Sequence, residues 1–140
     1  MTNQIYPCLW FDGQAKEAAE FYCSIFKDSK ITVDTPMVVN FELNGKKFMG
    51  LNGGPMFKFN EAVSFVVDCE TQEEIDYYWS KLTEGGEESR CGWLKDKFGV
   101  SWQIVPAILG KLMTDSEKAP RVVQAFMQMK KFDIEKLLNA

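Results

Sequence analysis

The chain of 140 residues contains no histidine, and that removes most of the familiar catalytic constellations at once. Ser-His-Asp and Cys-His nucleophilic catalysis, imidazole-ligated zinc and the usual general base near neutral pH all need a ring that this sequence lacks. What remains for chemistry is a thiol or a carboxylate. Cys8 is the candidate nucleophile and Glu42 the candidate base, yet each needs a neighbour to tune its pKa and neither has an identifiable partner in the sequence. Cys8, Cys23, Cys69 and Cys91 are widely spaced with no CxxC pair. They are expected to be free, packed thiols rather than a disulfide framework.

Composition narrows the function further. Hydrophobic residues at 46% and charged residues at 26% are ordinary globular values, and a single domain of this length buries enough surface to stand without a disulfide or a metal. The net charge of -4 is spread along the chain without a cluster of Lys or Arg, so the electrostatic footprint of nucleic-acid binding is missing. No basic n-region with an apolar stretch behind it opens the sequence and no 18-residue apolar run occurs; a cytoplasmic protein without membrane contact is expected. Eleven Phe, four Trp and four Tyr are more rings than a minimal core needs. Some of them could line a cavity.

Two similar blocks must position whatever chemistry there is. Ile5 to Phe11 has strand composition, and Asp12-Gly13 then offers a helix N-cap and a turn. Ala15, Ala18, Ala19, Tyr22, Ile25 and Phe26 recur at helical spacing, which predicts a helix with one apolar stripe. Val39, Phe41 and Leu43 alternate with polar residues, and Asn44-Gly45 is a strong type I′ hairpin signal into a strand from Lys46 to Leu51. After the Asn52-Gly53-Gly54-Pro55 loop the order restarts: a strand from Ala62 to Val67, ended by Asp68, then a capping box of Thr71 and Glu74 with a stripe of Ile75, Tyr78, Trp79 and Leu82. A shift of 56 residues places Asp12 on Asp68, Ala19 on Ile75 and Phe26 on Leu82 without a gap. Gly85-Gly86 stops the second helix, Ser89 to Lys95 and Val100 to Val105 can pair as strands, and Asp96 to Gly99 can turn between them. A duplicated unit of this size suits a βαβββ module. Beyond Pro106 the stripes of Ile108, Leu109 and Leu112, of Val122, Val123, Phe126 and Met127, and of Ile134, Leu137 and Leu138 predict helices, with Pro120 in an early turn and Asp133 as a cap.

Several of these segments together resemble one known family. Leu9-Trp10-Phe11-Asp12-Gly13-Gln14-Ala15, Leu51-Asn52-Gly53-Gly54-Pro55, Asp76-Tyr77-Tyr78-Trp79 and Cys91-Gly92-Trp93-Leu94-Lys95-Asp96 are similar to the PhnB-like, or 3-demethylubiquinone-9 3-methyltransferase-like, branch of the vicinal-oxygen-chelate superfamily. So is Gly99-Val100-Ser101-Trp102-Gln103-Ile104-Val105-Pro106. The resemblance implies an α+β fold of paired βαβββ modules, about 5–57 and about 61–106, forming a cupped mixed sheet of the glyoxalase/bleomycin resistance type. The C-terminal helices 107–140 complete a single domain of 1–140. It also implies a homodimer and a small organic ligand held in the cup. In metal-dependent relatives, residues from the first and fourth strands of each module hold a divalent ion that acts as a Lewis acid. The corresponding positions here fall near Ile5 or Tyr6, Ala62, Asn52 and Gln103, and two neutral amides do not compensate a buried divalent charge. No metal and no cofactor are therefore expected. A methyltransferase reading would need a glycine-rich turn after the first strand of a parallel sheet, whereas Gly53-Gly54 follows a hairpin.

Alternation selects the candidate pocket. If Leu9 and Phe11 face the helices, Cys8 and Trp10 face the cavity, and by the repeat so do Ser64 and Val66. The resemblance favours Gln103 over Trp102 as the inward residue of the last strand and adds Asn52, while Trp93 and Phe41 could supply aromatic walls. The expected function is small-molecule binding in a metal-free pocket; the alternative is an enzyme of glyoxalase or lyase type.

Overall fold

The computed structural model describes residues 3–140, which fall into two compact units divided between Phe59 and Asn60. In the first, β1 (Cys8–Phe11) leads into α1 (Ala15–Ile25), and β2 (Lys30–Asp34), β3 (Val38–Leu43) and β4 (Lys46–Asn52) follow. The sheet order is β1-β4-β3-β2. β1 lies parallel to β4, with Leu9 opposite Gly50, while β3 runs antiparallel to both of its neighbours. Asn44 and Gly45 take φ of 51° and 76°, the positive values that both central positions of a type I′ turn require. One helix packs on one face: Ala15, Ala18, Ala19 and Tyr22 are fully buried, as are Phe11, Val39 and Phe41. At Gly50 an added Cβ would lie 3.1 Å from that of Ala15, so the helix start rides directly on the β4 backbone.

Three local expectations change in this unit. The first strand starts at Cys8 rather than Ile5. Lys30–Asp34, whose pattern is not apolar enough to announce itself, is a strand on the sheet edge. Asp12 does not cap α1: the chain turns at Gly13 with φ of 76°, and Gln14 occupies the N-cap position without a side-chain bond.

The second unit repeats the topology, with β5 (Ser64–Cys69), α2 (Gln72–Thr83), β6 (Glu87–Glu88), β7 (Trp93–Lys95) and β8 (Ser101–Pro106) in the order β5-β8-β7-β6. The 56-residue shift carries Cys8, the first residue of β1, onto Ser64, the first of β5. The capping box is complete, with the Thr71 hydroxyl accepting from the Glu74 amide and the Glu74 carboxylate accepting from Thr71. Ile75, Trp79 and Leu82 of the stripe are buried against the sheet. The strand expected over Ser89 to Lys95 is instead two short strands around a tight turn, in which Cys91 and Gly92 both take positive φ, 57° and 83°. Asp96, 3% exposed, organises the next turn: one carboxylate oxygen accepts the Phe98 and Val100 amides and the other accepts the Trp102 indole N–H at 2.9 Å.

The helices that follow, α3 (Leu109–Met113), α4 (Ala119–Phe126) and α5 (Ile134–Leu138), are tied back to the β6–β7 turn. The Cys91 amide donates to the Met129 carbonyl and the Gly92 amide to that of Lys130, at 2.9 and 2.8 Å. Phe132, 2% exposed, presses its ring against Gly92. The Gln72 side chain donates to the Phe132 carbonyl and accepts from the Ile134 amide, and Lys131 pairs with Asp76 at 2.8 Å. Asp133 caps α5 through the Lys136 amide. Among the described residues no helix is long and apolar enough to cross a membrane.

Gly92 has no room for a side chain: a Cβ there would fall 2.4 Å from the Phe132 ring and 2.8 Å from the Ile104 carbonyl oxygen. Overpacking and the positive φ together predict that Gly92→Ala costs about 3 kcal/mol. Urea denaturation should show that loss, and limited proteolysis should cut first between residues 127 and 133.

Candidate small-molecule site

The side chains of the second sheet divide by strand alternation. Phe65, Trp102, Leu94 and Glu88 share the register rungs on the face toward α2. There the Trp102 ring meets Phe65 at a tilt, with centroids 5.4 Å apart, and the Trp79 indole donates to Glu88 at 2.9 Å. On the other face, one rung runs Ser64, Ser101, Lys95 and Glu87, and the next runs Val66, Gln103 and Trp93. Beside these rungs lies a cavity of about 370 Å³, with Glu61, Glu87, Arg90, Trp93, Lys95 and Ser101 among its lining residues.

Ser101 is 1% exposed and its hydroxyl has no hydrogen-bond partner among the described residues. A buried hydroxyl left unpaired costs about 1–3 kcal/mol, and Ser101 is one of the residues that line the cavity. Lys95 reaches Glu61 at 2.6 Å. The hydrogen bond from Lys95, reinforced by its charge, holds the Glu61 carboxyl below the usual range, and the same bond raises the Lys95 ammonium, with Glu87 adding to the effect. Both groups therefore stay charged across the neutral range.

The residues singled out from the sequence land in four kinds of place. Ser64 and Gln103 come together, the Gln103 amide donating to the Ser64 hydroxyl at 3.0 Å, and Trp93 pairs with Gln103 and lines the cavity. Cys8 and Trp10 occupy the face of the first sheet away from α1, Cys8 exposed. The Trp10 ring is fixed there: its indole N–H donates to the Gly54 carbonyl at 2.8 Å, Phe57 meets it edge-on, and Gly53 lies too close for any Cβ. Phe41 is fully buried on the opposite, helical face, with Tyr22 and Phe48 around it. Asn52 lies on that face too, where its carbonyl oxygen accepts the Ala15 amide at 2.9 Å and its NH₂ donates to the Pro36 carbonyl. It is the missing cap of α1. On the same face as Trp10, the buried Asn40 side-chain oxygen has no partner among the described residues.

Glu61, Glu87, Arg90, Lys95 and Ser101 escaped the sequence reading. Ser101 and Lys95 were within reach of the same alternation, each standing two residues from a chosen position, Gln103 and Trp93. Glu87 and Arg90 were not, because β6 is two residues long and carries no period.

The Cys8 thiol, the candidate nucleophile, is not activated by its surroundings. Partial burial pushes the Cys8 thiol above its ordinary pKa, and burial together with the charges of Glu74 and Asp68 pushes Cys69 to about 12. Glu42 stands in register between Lys30 and Lys47.

A pair of four-stranded mixed sheets, each built as βαβββ and followed by helices, is the fold of the vicinal-oxygen-chelate superfamily. The family model described as 3-demethylubiquinone-9 3-methyltransferase matches residues 3–105, and the chain belongs to that PhnB-like family. Among solved structures, a PhnB protein from Bacillus cereus, described as a 3-demethylubiquinone-9 3-methyltransferase, is 36% identical, with 75% of this chain and all of that one covered at a TM-score of 0.69. Protein PA1353 from Pseudomonas aeruginosa is 20% identical, covering 75% and 98%, at 0.63. The fosfomycin resistance protein FosX from Listeria monocytogenes, solved with Mn(II) and sulfate, shares the fold at 12% identity, covering 83% and 98%, at 0.62. No curated protein matches the chain.

The donor set here does not suit a divalent metal. Among the described residues no group of three or more His, Cys, Asp or Glu side chains converges, the Asn52 amide caps a helix, and the Gln103 NH₂ is bonded to Ser64.

Two outcomes follow from these placements. Asn52→Ala should destabilise the protein by about 1–2 kcal/mol in chemical denaturation, as loss of an N-cap does, and leave ligand affinity in the second unit unchanged. Thiol labelling at pH 8 should modify Cys8 first and slowly, since a raised pKa keeps the nucleophilic thiolate scarce. Cys69 should react only on unfolding.

Proposed function

We propose that this protein binds a small organic molecule in the cavity of its second unit, between the β6–β7 hairpin and the Ser64–Ser101–Lys95 rung, without the help of a metal ion. The observation that carries this reading is the buried, unpaired Ser101 hydroxyl at a cavity large enough for a compact ligand. A core has no use for such an atom, because a native interior pairs its buried polar groups. Lys95 and Glu61 add fixed charge beside it, and Trp93 adds an apolar wall. The protein works as a homodimer in the cytoplasm in this reading. The apolar stripes of the tail helices, which leave Met127 and Leu138 more than half exposed, support the dimer.

The family's description names methyl transfer. That reaction finds little support in this chain, whose sheets each contain a single parallel strand pair and no glycine-rich turn after the first strand. Binding without turnover is favoured over glyoxalase- or lyase-type catalysis because the Cys8 and Cys69 thiols are both pushed above their ordinary pKa and the donor set does not suit a Lewis-acidic metal.

Native mass spectrometry of protein taken from its source cells should show a retained organic ligand and less than one equivalent of zinc, nickel, iron or manganese. Chelators should leave the melting temperature unchanged, since only a ligand of the native state contributes stability that its removal takes away. Ser101→Ala should weaken the retained ligand about tenfold while holding or raising the stability of the free protein, because it removes an orphan hydroxyl. A tight stoichiometric metal, or a ligand indifferent to Ser101→Ala, would overturn the proposal.

A further inference from the structure

The charges around the cavity are separated along the β6–β7 hairpin. At one end Lys95 stands between two carboxylates, paired with Glu61 and cross-strand from Glu87, so these three groups together carry one excess negative charge. At the other end Arg90 sits in the turn. Among the described residues neither Arg90 nor Glu87 forms an ion pair. Trp93, on the same face as Lys95, lies between the two ends, its amide donating to the Arg90 carbonyl at 3.1 Å.

The backbone that carries Arg90 is held on both sides. The Ser89 amide donates to the Trp93 carbonyl, and the Cys91 amide donates to Met129 of the tail. Arg90 follows Glu87 by three positions, which is at most about 10 Å of chain, and both residues line the same cavity as Trp93.

A ligand with a lone negative charge would meet Arg90 but also the surplus carboxylate, and a ligand with a lone positive charge would meet Glu87 but leave Arg90 unanswered. Unlike charges placed at both ends are each matched, and charge-assisted hydrogen bonds are the strong ones. Resting on the binding reading above and extending it, we propose that the cavity selects a small organic zwitterion whose ammonium and carboxylate are separated by an apolar body. The ammonium goes to Glu87, the carboxylate to Arg90 and the apolar body to Trp93, with the Ser101 hydroxyl pairing with a polar atom of the ligand.

The test uses the full chain and calorimetric titration with 6-aminohexanoate, compared with hexanoate, hexylamine, hexanol and glycine. Each probe except glycine has the same six-carbon body, and glycine has both charges with no body between them. The expected result is that 6-aminohexanoate binds about tenfold or more tightly than any of the others, as one charge-assisted hydrogen bond at each end would give. Arg90→Gln should bring it down to the affinity of hexylamine, and Glu87→Gln to that of hexanoate. Both side chains are exposed, so unchanged melting temperatures should verify that the variants fold. If hexanol, hexanoate or hexylamine binds as tightly as 6-aminohexanoate and remains sensitive to Ser101→Ala, the zwitterion assignment is overturned while the binding site stands. If none of the probes binds at millimolar concentration and no ligand is retained from cells, both fall.

Discussion

Each sheet of this protein has four strands and one helix to cover it, and that mismatch governs the rest. The first strand of each unit lies parallel to its last, a pairing that a tight hairpin cannot make and that needs a helical crossover. The crossover helix buries one face: Leu9, Phe11, Val39 and Phe41 in the first unit, and Leu94, Trp102 and Ile104 in the second. Among the described residues, neither α1 nor α2 covers the other face. Its residues, Trp10 and Asn40 in one sheet and Ser64, Trp93, Lys95 and Gln103 in the other, are half-buried. A half-buried face can hold charges, amides and rings side by side, and both buried, unpaired side-chain atoms found among the described residues, on Asn40 and Ser101, belong to such faces.

What distinguishes the second unit is the attention its last hairpin receives from the rest of the chain. Strands of two and three residues are too short to hold a fixed geometry through their own ladder hydrogen bonds. The β6–β7 turn is fixed from outside by the tail, two of whose backbone carbonyls accept the Cys91 and Gly92 amides and which packs Phe132 where only a glycine leaves room. Asp96 fixes the other end of β7 with three hydrogen bonds. Arg90, Trp93 and Lys95 thus occupy a short segment clamped at both ends, which places charges reproducibly without a large core behind them.

The shared superfamily fold does not by itself convey chemistry. FosX carries a manganese ion on the same scaffold, whereas the strand positions of this chain are occupied by amides already bound to their own neighbours. The Asn52 side chain caps α1, and that of Gln103 bridges to Ser64. A position that holds a helix start in place is not free to hold a ligand.

Local signals with a complete physical mechanism were legible in the sequence. Asn44-Gly45 announces its turn because few other pairs tolerate two positive φ values; Thr71 with Glu74, and Asp133, announce helix starts because the groups they satisfy are three residues away. The repeat and the alternation of Cys8 to Phe11 likewise followed from short-range periods, and the family from its motifs. Asn52 was misread because the amide it caps is 37 residues distant, and Asp12 looked like the nearer answer. Phe41 alternates correctly, but its own strand cannot say which face the helix will take; only Tyr22 packed against it decides that. The cavity was out of reach for a related reason. It is made by a two-residue strand, a turn shaped by a distant tail and a hydroxyl whose lack of a partner exists only once every neighbour is in place.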